Sequence, residues 1–176
     1  MCRTRKTRDA VATYLLEQLL TADRVIALDT RQKTAALQQL LDVFSSRGAI
    51  DERVPVEKAV FSREVLMSTG MGYGIAVPHA RVASVKEFAI ALGVAEIGVP
   101  YSSLIDDRPV RLICMIVGPS GHDEDYLRIL AMVMRFLKSE KGKILSAFSL
   151  EGVHAFTSGH DTSQGGPSGP GESEQS

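Results

Sequence analysis

The sequence predicts a single α/β domain in which a mixed β-sheet is flanked by helices on both faces. Three features point there. Apolar residues recur at helical spacing in several separate stretches. The segment FAIALGVA instead alternates large and small apolar residues, the periodicity of a strand. The run VRLICMIV, from Val110 to Val117, is apolar on both faces, as a central strand covered on each side must be.

In chain order, Val11, Leu15 and Leu19 mark a first amphipathic helix. Leu37, Leu40, Leu41 and Phe44 mark a second, with Thr30 as its cap and Gly48 as its stop. Val56 and Val60 share a face of a third, shorter helix that opens beside Pro55 and carries Arg63 and Glu64 near its end. The period then changes. Phe88, Ile90, Leu92 and Val94 alternate with small residues, which predicts a strand whose second face lies close to packed backbone. After the central strand a last helix is predicted from about Asp123 to Lys138. Its stripe of Leu127, Leu130, Ala131 and Met134, widened by Ile129, Val133 and Phe136, predicts deep burial. Beyond Phe156 the composition turns to Gly, Ser, Pro, Gln and Glu, too poor in apolar groups to offset the entropy of ordering. The expected organisation is one domain over residues 1–157 and a disordered tail over 158–176.

Composition bounds the function. With 176 residues and 44% hydrophobic content the chain can build one sizeable core, and a domain of that length buries roughly 70% of its unfolded surface. A formal net charge of -1 leaves no positive excess to hold a polyanion, so no nucleic acid is expected as a partner. The basic cluster Arg3, Arg5, Lys6 and Arg8 reads as a solvated helix entry. Glu17 and Gln18 interrupt the apolar stretch behind it, so neither a signal peptide nor a membrane-inserted segment is expected, and the protein is placed in the cytoplasm. Cys2 is terminal and Cys114 sits within an apolar run, which predicts an inert buried thiol and no disulfide.

The stretch GMGYGIAVPHAR, from Gly70 to Arg81, carries the chemistry. Its glycines do not have the spacing of a dinucleotide fingerprint, and no long strand feeds them. They do permit backbone conformations closed to other residues and can bring amides near an anion. Pro78 fixes the backbone just before His79, and Arg81 and Arg63 are able to donate charge-assisted hydrogen bonds to phosphate. Thr69 and Arg81 each have a second reading, as a turn former and a solvated charge. The loop HDED lacks the spaced oxygen ligands of a hard-cation site, so no metal and no other cofactor is expected.

The run REVLMSTGMGYGIAVPHAR, from Arg63 to Arg81, resembles the signature of the fructose/mannitol-type enzyme IIA domains of the bacterial phosphoenolpyruvate-dependent phosphotransferase system, which include the nitrogen-regulatory IIA proteins. RVIALDTRQKTAALQQLLDVFSSRGAI resembles the family's opening strand and helix, and VPYSSLIDDRPVRLICMIVGP its later strands, so the likeness covers roughly Leu20 to Leu150. The resemblance implies the fructose/mannitol-type IIA fold, with the site on a loop beside the sheet. It implies a phosphoryl carrier that accepts phosphate from the phosphocarrier HPr on His79 and passes it to a IIB cysteine. Arg63 matches the family's arginine near the phosphate, and Thr69, Gly74 and Arg81 are the further candidate phosphate-stabilising groups. The alternative is a regulatory protein whose His79 phosphorylation state controls binding to a target protein. Many family members carry a second active-site histidine at the head of the last helix; that position here is Tyr126, while His122 lies in the preceding loop as a capping residue or one able to swing inward.

Overall fold

A computed structural model describes residue 16 and residues 18–103 and 105–147. A short 3-10 turn (Ala22–Arg24) leads into β1 (Val25–Leu28), followed by α1 (Lys33–Ser46), α2 (Arg53–Leu66), β2 (Ile75–Ala76), β3 (His79–Val82), β4 (Ala89–Val99), β5 (Val110–Pro119) and α3 (Asp123–Ala147). Of the first predicted helix, Leu16, Gln18 and Leu19 are described, and they are helical. Val11, Leu15, Cys2, the basic cluster and the proposed tail lie outside the described residues.

The sheet is mixed, as the sequence predicts. Its order is β1-β4-β5-β2, with β3 also on β5. β4 and β5 are antiparallel, whereas β1 runs parallel to β4, and β2 and β3 run parallel to β5. Alternation along the strands divides the core in two. Ala76, Ala80, Ala91, Ala95, Ile113, Met115 and Val117 face Leu37, Leu40, Phe44, Val56 and Val60 of α1 and α2. Ile75, Val77, Ile90, Leu92, Val94, Leu112, Cys114 and Ile116 face Met132, Val133 and Leu137 of α3. Helices therefore cover both faces, and each large side chain so removed from water contributes roughly 1.5–3 kcal/mol. Burial pushes the Cys114 thiol up to about 12. The small-residue face of β4 is tightest at Gly93, where a Cβ would stand 2.6 Å from a Leu28 methyl, so the close neighbour is a side chain rather than backbone.

Several local expectations are corrected. Gln32, not Thr30, is the cap of α1; the Thr30 hydroxyl instead accepts from the Gln32 amide at 3.0 Å, a turn that feeds the helix. Gly48 does end the helix in the left-handed region, at φ 64°. The last helix continues past Lys138 to Ala147. Its buried stripe is Tyr126, Met132, Val133 and Leu137, whereas Leu127 is 61% exposed. Of the predicted stripe, Val133 is buried and Ile129, Leu130, Met134 and Phe136 pack partly buried against the same core, whereas Leu127 and Ala131 face outward and Tyr126, which hydropathy left out, is buried.

The largest correction concerns His79, which was expected on a loop and stands first in strand β3. β2 and β3 follow one another along the same edge of β5 in unbroken register: Ile75 opposes Leu112, Ala76 opposes Ile113 and His79 opposes Ile116. Pro78 sits in the interruption. Lacking an N–H, it is tolerated at a sheet edge, and its carbonyl still accepts the Ile116 amide at 3.0 Å.

Candidate functional site

Two residues on from Val77, His79 takes the sheet face that looks toward α3. Its Nδ1 lies 2.8 Å from the Val77 carbonyl oxygen. A carbonyl only accepts, so Nδ1 carries the proton and Nε2 keeps its lone pair. The ring is half-buried, 5.5 Å from the ring of Tyr126 at the first turn of α3.

Around this imidazole lies a cleft of about 620 Å³ between the end of α2, β3 and the head of α3. Arg63, Leu66, His79, Arg81, Asp123 and Tyr126 are among its walls. The structure thus brings together four of the residues proposed from sequence: His79, Arg63, Arg81 and Tyr126. Arg63 projects from the last turn of α2, where its Nη1 donates to the Met67 carbonyl at 2.9 Å. Arg81 lies two residues past His79 on β3, ion-paired to Asp123, with its guanidinium carbon 5.1 Å above the Tyr126 ring. The sequence marks Asp123 only as the start of the last helix. Its pairing with Arg81 depends on how α3 meets β3, a tertiary relation invisible in local sequence.

The other sequence candidates stand apart. Thr69 is buried, and its hydroxyl donates to Glu64 Oε2 at 2.5 Å rather than facing the cleft. Gly74, at φ 71°, closes a tight turn in which Met71 donates to the Ile75 carbonyl and the Gly74 carbonyl accepts the Arg111 and Leu112 amides. The glycines serve a turn at the opposite end of this edge strand, since Ile75 and His79 are separated by about 13 Å at ~3.3 Å per residue. His122 is exposed in the loop before α3 and 3.7 Å from Asp125, outside the cleft walls.

Burial pulls the His79 pKa below the ordinary histidine value of 6.5. The Val77 hydrogen bond opposes this, Arg63 and Arg81 reinforce it, and Glu64 opposes them. The result is a ring that is neutral near pH 7 with a free nitrogen between cations. Burial also raises the Tyr126 phenol, against the pull of Arg81 and Arg63. Among the described residues no group of three or more His, Cys, Asp and Glu side chains is disposed to hold a metal ion, and no helix is long and apolar enough to cross a membrane.

The site is thus a sheet-edge imidazole kept neutral, with one ring nitrogen free of the Val77 hydrogen bond, in a cleft walled by two guanidinium groups. The chain belongs to the family described as phosphoenolpyruvate-dependent sugar phosphotransferase system, EIIA 2, which it matches over residues 18–155. It is 34% identical over 123 residues to the fructose-specific EIIA component of Haloferax volcanii, a match covering 69% of this chain and 79% of that one. The fructose-specific EIIABC component of Bacillus subtilis is 32% identical over 149 residues, 83% of this chain, while the chain spans only 23% of that protein's length. The solved structure of nitrogen regulatory protein IIA-Ntr from Neisseria meningitidis superposes with a TM-score of 0.68 at 26% identity, covering 81% of this chain and 98% of that one.

The depressed pKa has a signed consequence for stability. Below the ordinary value of 6.5 the unfolded chain binds a proton that native His79 refuses, so stability falls as pH drops from there to the folded value. Above that window His79 contributes no slope. NMR titration of the His79 ring is expected to give a midpoint below the ordinary value, and His79→Gln is expected to flatten the acid limb of stability against pH. A midpoint at or above the ordinary value would contradict the assignment.

Proposed function

We propose that the protein is a phosphoryl carrier: His79 accepts a phosphoryl group from an HPr-like phosphocarrier and passes it to a IIB cysteine. The observation that carries this reading is the Val77 carbonyl on Nδ1, which leaves Nε2 as the nucleophile within an arginine-walled cleft. In the first step the Nε2 lone pair forms a bond to phosphorus as the bond from phosphorus to the donor's nitrogen breaks. Nδ1 keeps its proton, so the product ring is cationic, and the Val77 carbonyl stabilises that charge. In the second step a IIB thiolate forms the bond to phosphorus and His79 departs as neutral imidazole, a good leaving group. Arg63 and Arg81 balance the charge on the phosphoryl oxygens. Arg81 does so by turning from Asp123, its partner in the unphosphorylated site.

A regulatory reading, in which the His79 phosphorylation state governs binding to a target protein, is favoured by Tyr126. A buried phenol stands 5.5 Å from His79, where the family resemblance places a second histidine. A phenol does not become cationic near neutral pH. Acceptance needs only His79 and the arginines, so it proceeds. Onward transfer lacks one cation, so phospho-His79 persists and suits a signal.

Two experiments test these readings. Incubation with phosphoenolpyruvate, enzyme I and HPr is expected to add one acid-labile phosphoryl mass that is absent from His79→Ala; label retained by that variant would sink the assignment. In a single-turnover chase of labelled phosphoprotein with IIB, Tyr126→His is expected to speed loss of label by on the order of tenfold, the effect of one transition-state contact of about 1.4 kcal/mol. Equally fast transfer by both forms would favour the transport reading.

A further inference from the structure

Behind the cleft lies a charge pair, its acid buried and its lysine half-buried, that the mechanism above does not use. Glu64 follows Arg63 in the last turn of α2, but its carboxylate is turned inward and its side chain is only 5% exposed. Lys33, at the first position of α1, places Nζ 2.5 Å from Glu64 Oε1 and 4.2 Å from the centre of the Tyr101 ring. The other partners come from the segment leading toward His79. The Thr69 amide donates to Oε1 at 3.1 Å and the Thr69 hydroxyl to Oε2 at 2.5 Å.

The line of hydrogen bonds then continues to the imidazole. The Thr69 carbonyl accepts the Val77 amide at 3.0 Å, and the Val77 carbonyl is the group that faces His79 Nδ1 at 2.8 Å. Every member of this line has a partner, the condition under which a buried polar network fixes a geometry rather than weakening it. A buried carboxylate costs free energy unless it is paired, and replacing such a pair by apolar groups is often neutral for stability. Stability alone therefore does not account for a charged pair at this place. What it supplies is a fixed position for Thr69, and through Thr69 for Val77.

We infer that Glu64, neutralised by Lys33, is a positioning residue for His79, acting through Thr69 and Val77 to hold the carbonyl that selects the Nδ1–H tautomer. Its effect on phosphoryl transfer rests on the reading of His79 as the acceptor, whereas its effect on the tautomer does not. Without the anchor, the Val77 carbonyl is free to drift from Nδ1. The proton then distributes over both ring nitrogens, and a fraction of the molecules presents no lone pair at Nε2.

The test is the double variant Lys33→Met/Glu64→Leu, which removes both charges together and leaves neither uncompensated. In the unphosphorylated protein, the ring-nitrogen chemical shifts of His79 at pH 8 are expected to show a dominant Nδ1–H tautomer in the wild type and averaged values in the variant. Folding is checked by the amide spectrum of the remainder of the sheet. Phosphorylation of the variant by HPr is expected to slow by about tenfold to a hundredfold, the usual cost of misplacing a reacting group by up to an ångström. Thr69→Val, which deletes one donor at nearly constant volume, is the second variant, with a smaller shift of the same sign expected. A folded form of either variant that keeps the wild-type nitrogen shifts overturns the proposal. If instead the shifts average as expected but His79→Ala still takes up label, the carrier reading fails and the positioning role stands.

Discussion

Residues Ile75 to Val82 lie along β5 in one register although Pro78 interrupts them, and from that register the geometry of the site follows. A shift by one residue would exchange the two faces of the strand. Val77, now in the α3 core, would turn toward α1 and α2, and His79 would leave Tyr126. The constraint is strong because both faces are packed. Ile75 and Val77 are committed to one core, Ala76 and Ala80 to the other. Pro78 forgoes the ladder bond that an N–H at this position would make toward β5, while its carbonyl keeps the bond from the Ile116 amide, so the register survives the interruption. The same residue restricts the backbone next to His79, so the Val77 carbonyl meets Nδ1 at 2.8 Å without a long loop to order.

Charge is arranged around that ring with the same economy. The cleft holds the cations Arg63 and Arg81, one anion, Asp123, and a half-buried imidazole. Burial and the arginines favour the neutral ring, and a neutral ring is the nucleophilic form. On the proposed carrier reading, an incoming phosphoryl group would bring negative charge to a place already lined for it, with little reorganisation beyond the exchange of Asp123 for phosphate at Arg81. Leu66, 83% exposed, adds apolar surface at the rim of the cleft.

How much of this was readable in advance depends on the range of the interaction. The strands β4 and β5 and the helix α1 are dictated by local periodicity, and the sequence places them well. The pattern REVLMSTGMGYGIAVPHAR likewise pointed to His79, Arg63 and Arg81, which the fold does assemble. Strand β3 was missed because HARV carries a histidine and an arginine where a buried strand would have apolar residues, and because Pro78 reads as a break. The glycines were read as an anion cradle; sequence shows that Gly74 is free to adopt φ 71°, but not that its turn lies at the far end of the edge strand. Thr69 is readable from sequence as a phosphate donor or a turn former, and Glu64 as a helix-end charge. Their joint burial against Lys33 needs α1 packed beside α2, a contact between residues 31 positions apart in the chain. The stripe on α3 holds from Ile129 to Phe136 but not at its start, where Leu127 is exposed and Tyr126 is buried instead.

The central claim is that the Val77 carbonyl holds Nδ1–H so that Nε2 alone takes the phosphoryl group. Nitrogen and phosphorus NMR of the phosphorylated protein, labelled at the histidine ring nitrogens, tests it directly. The account predicts a phosphorus coupling to Nε2 of His79 with the Nδ1 proton still present. A phosphoryl group found on Nδ1, or a ring that has lost its Nδ1 proton, would contradict it.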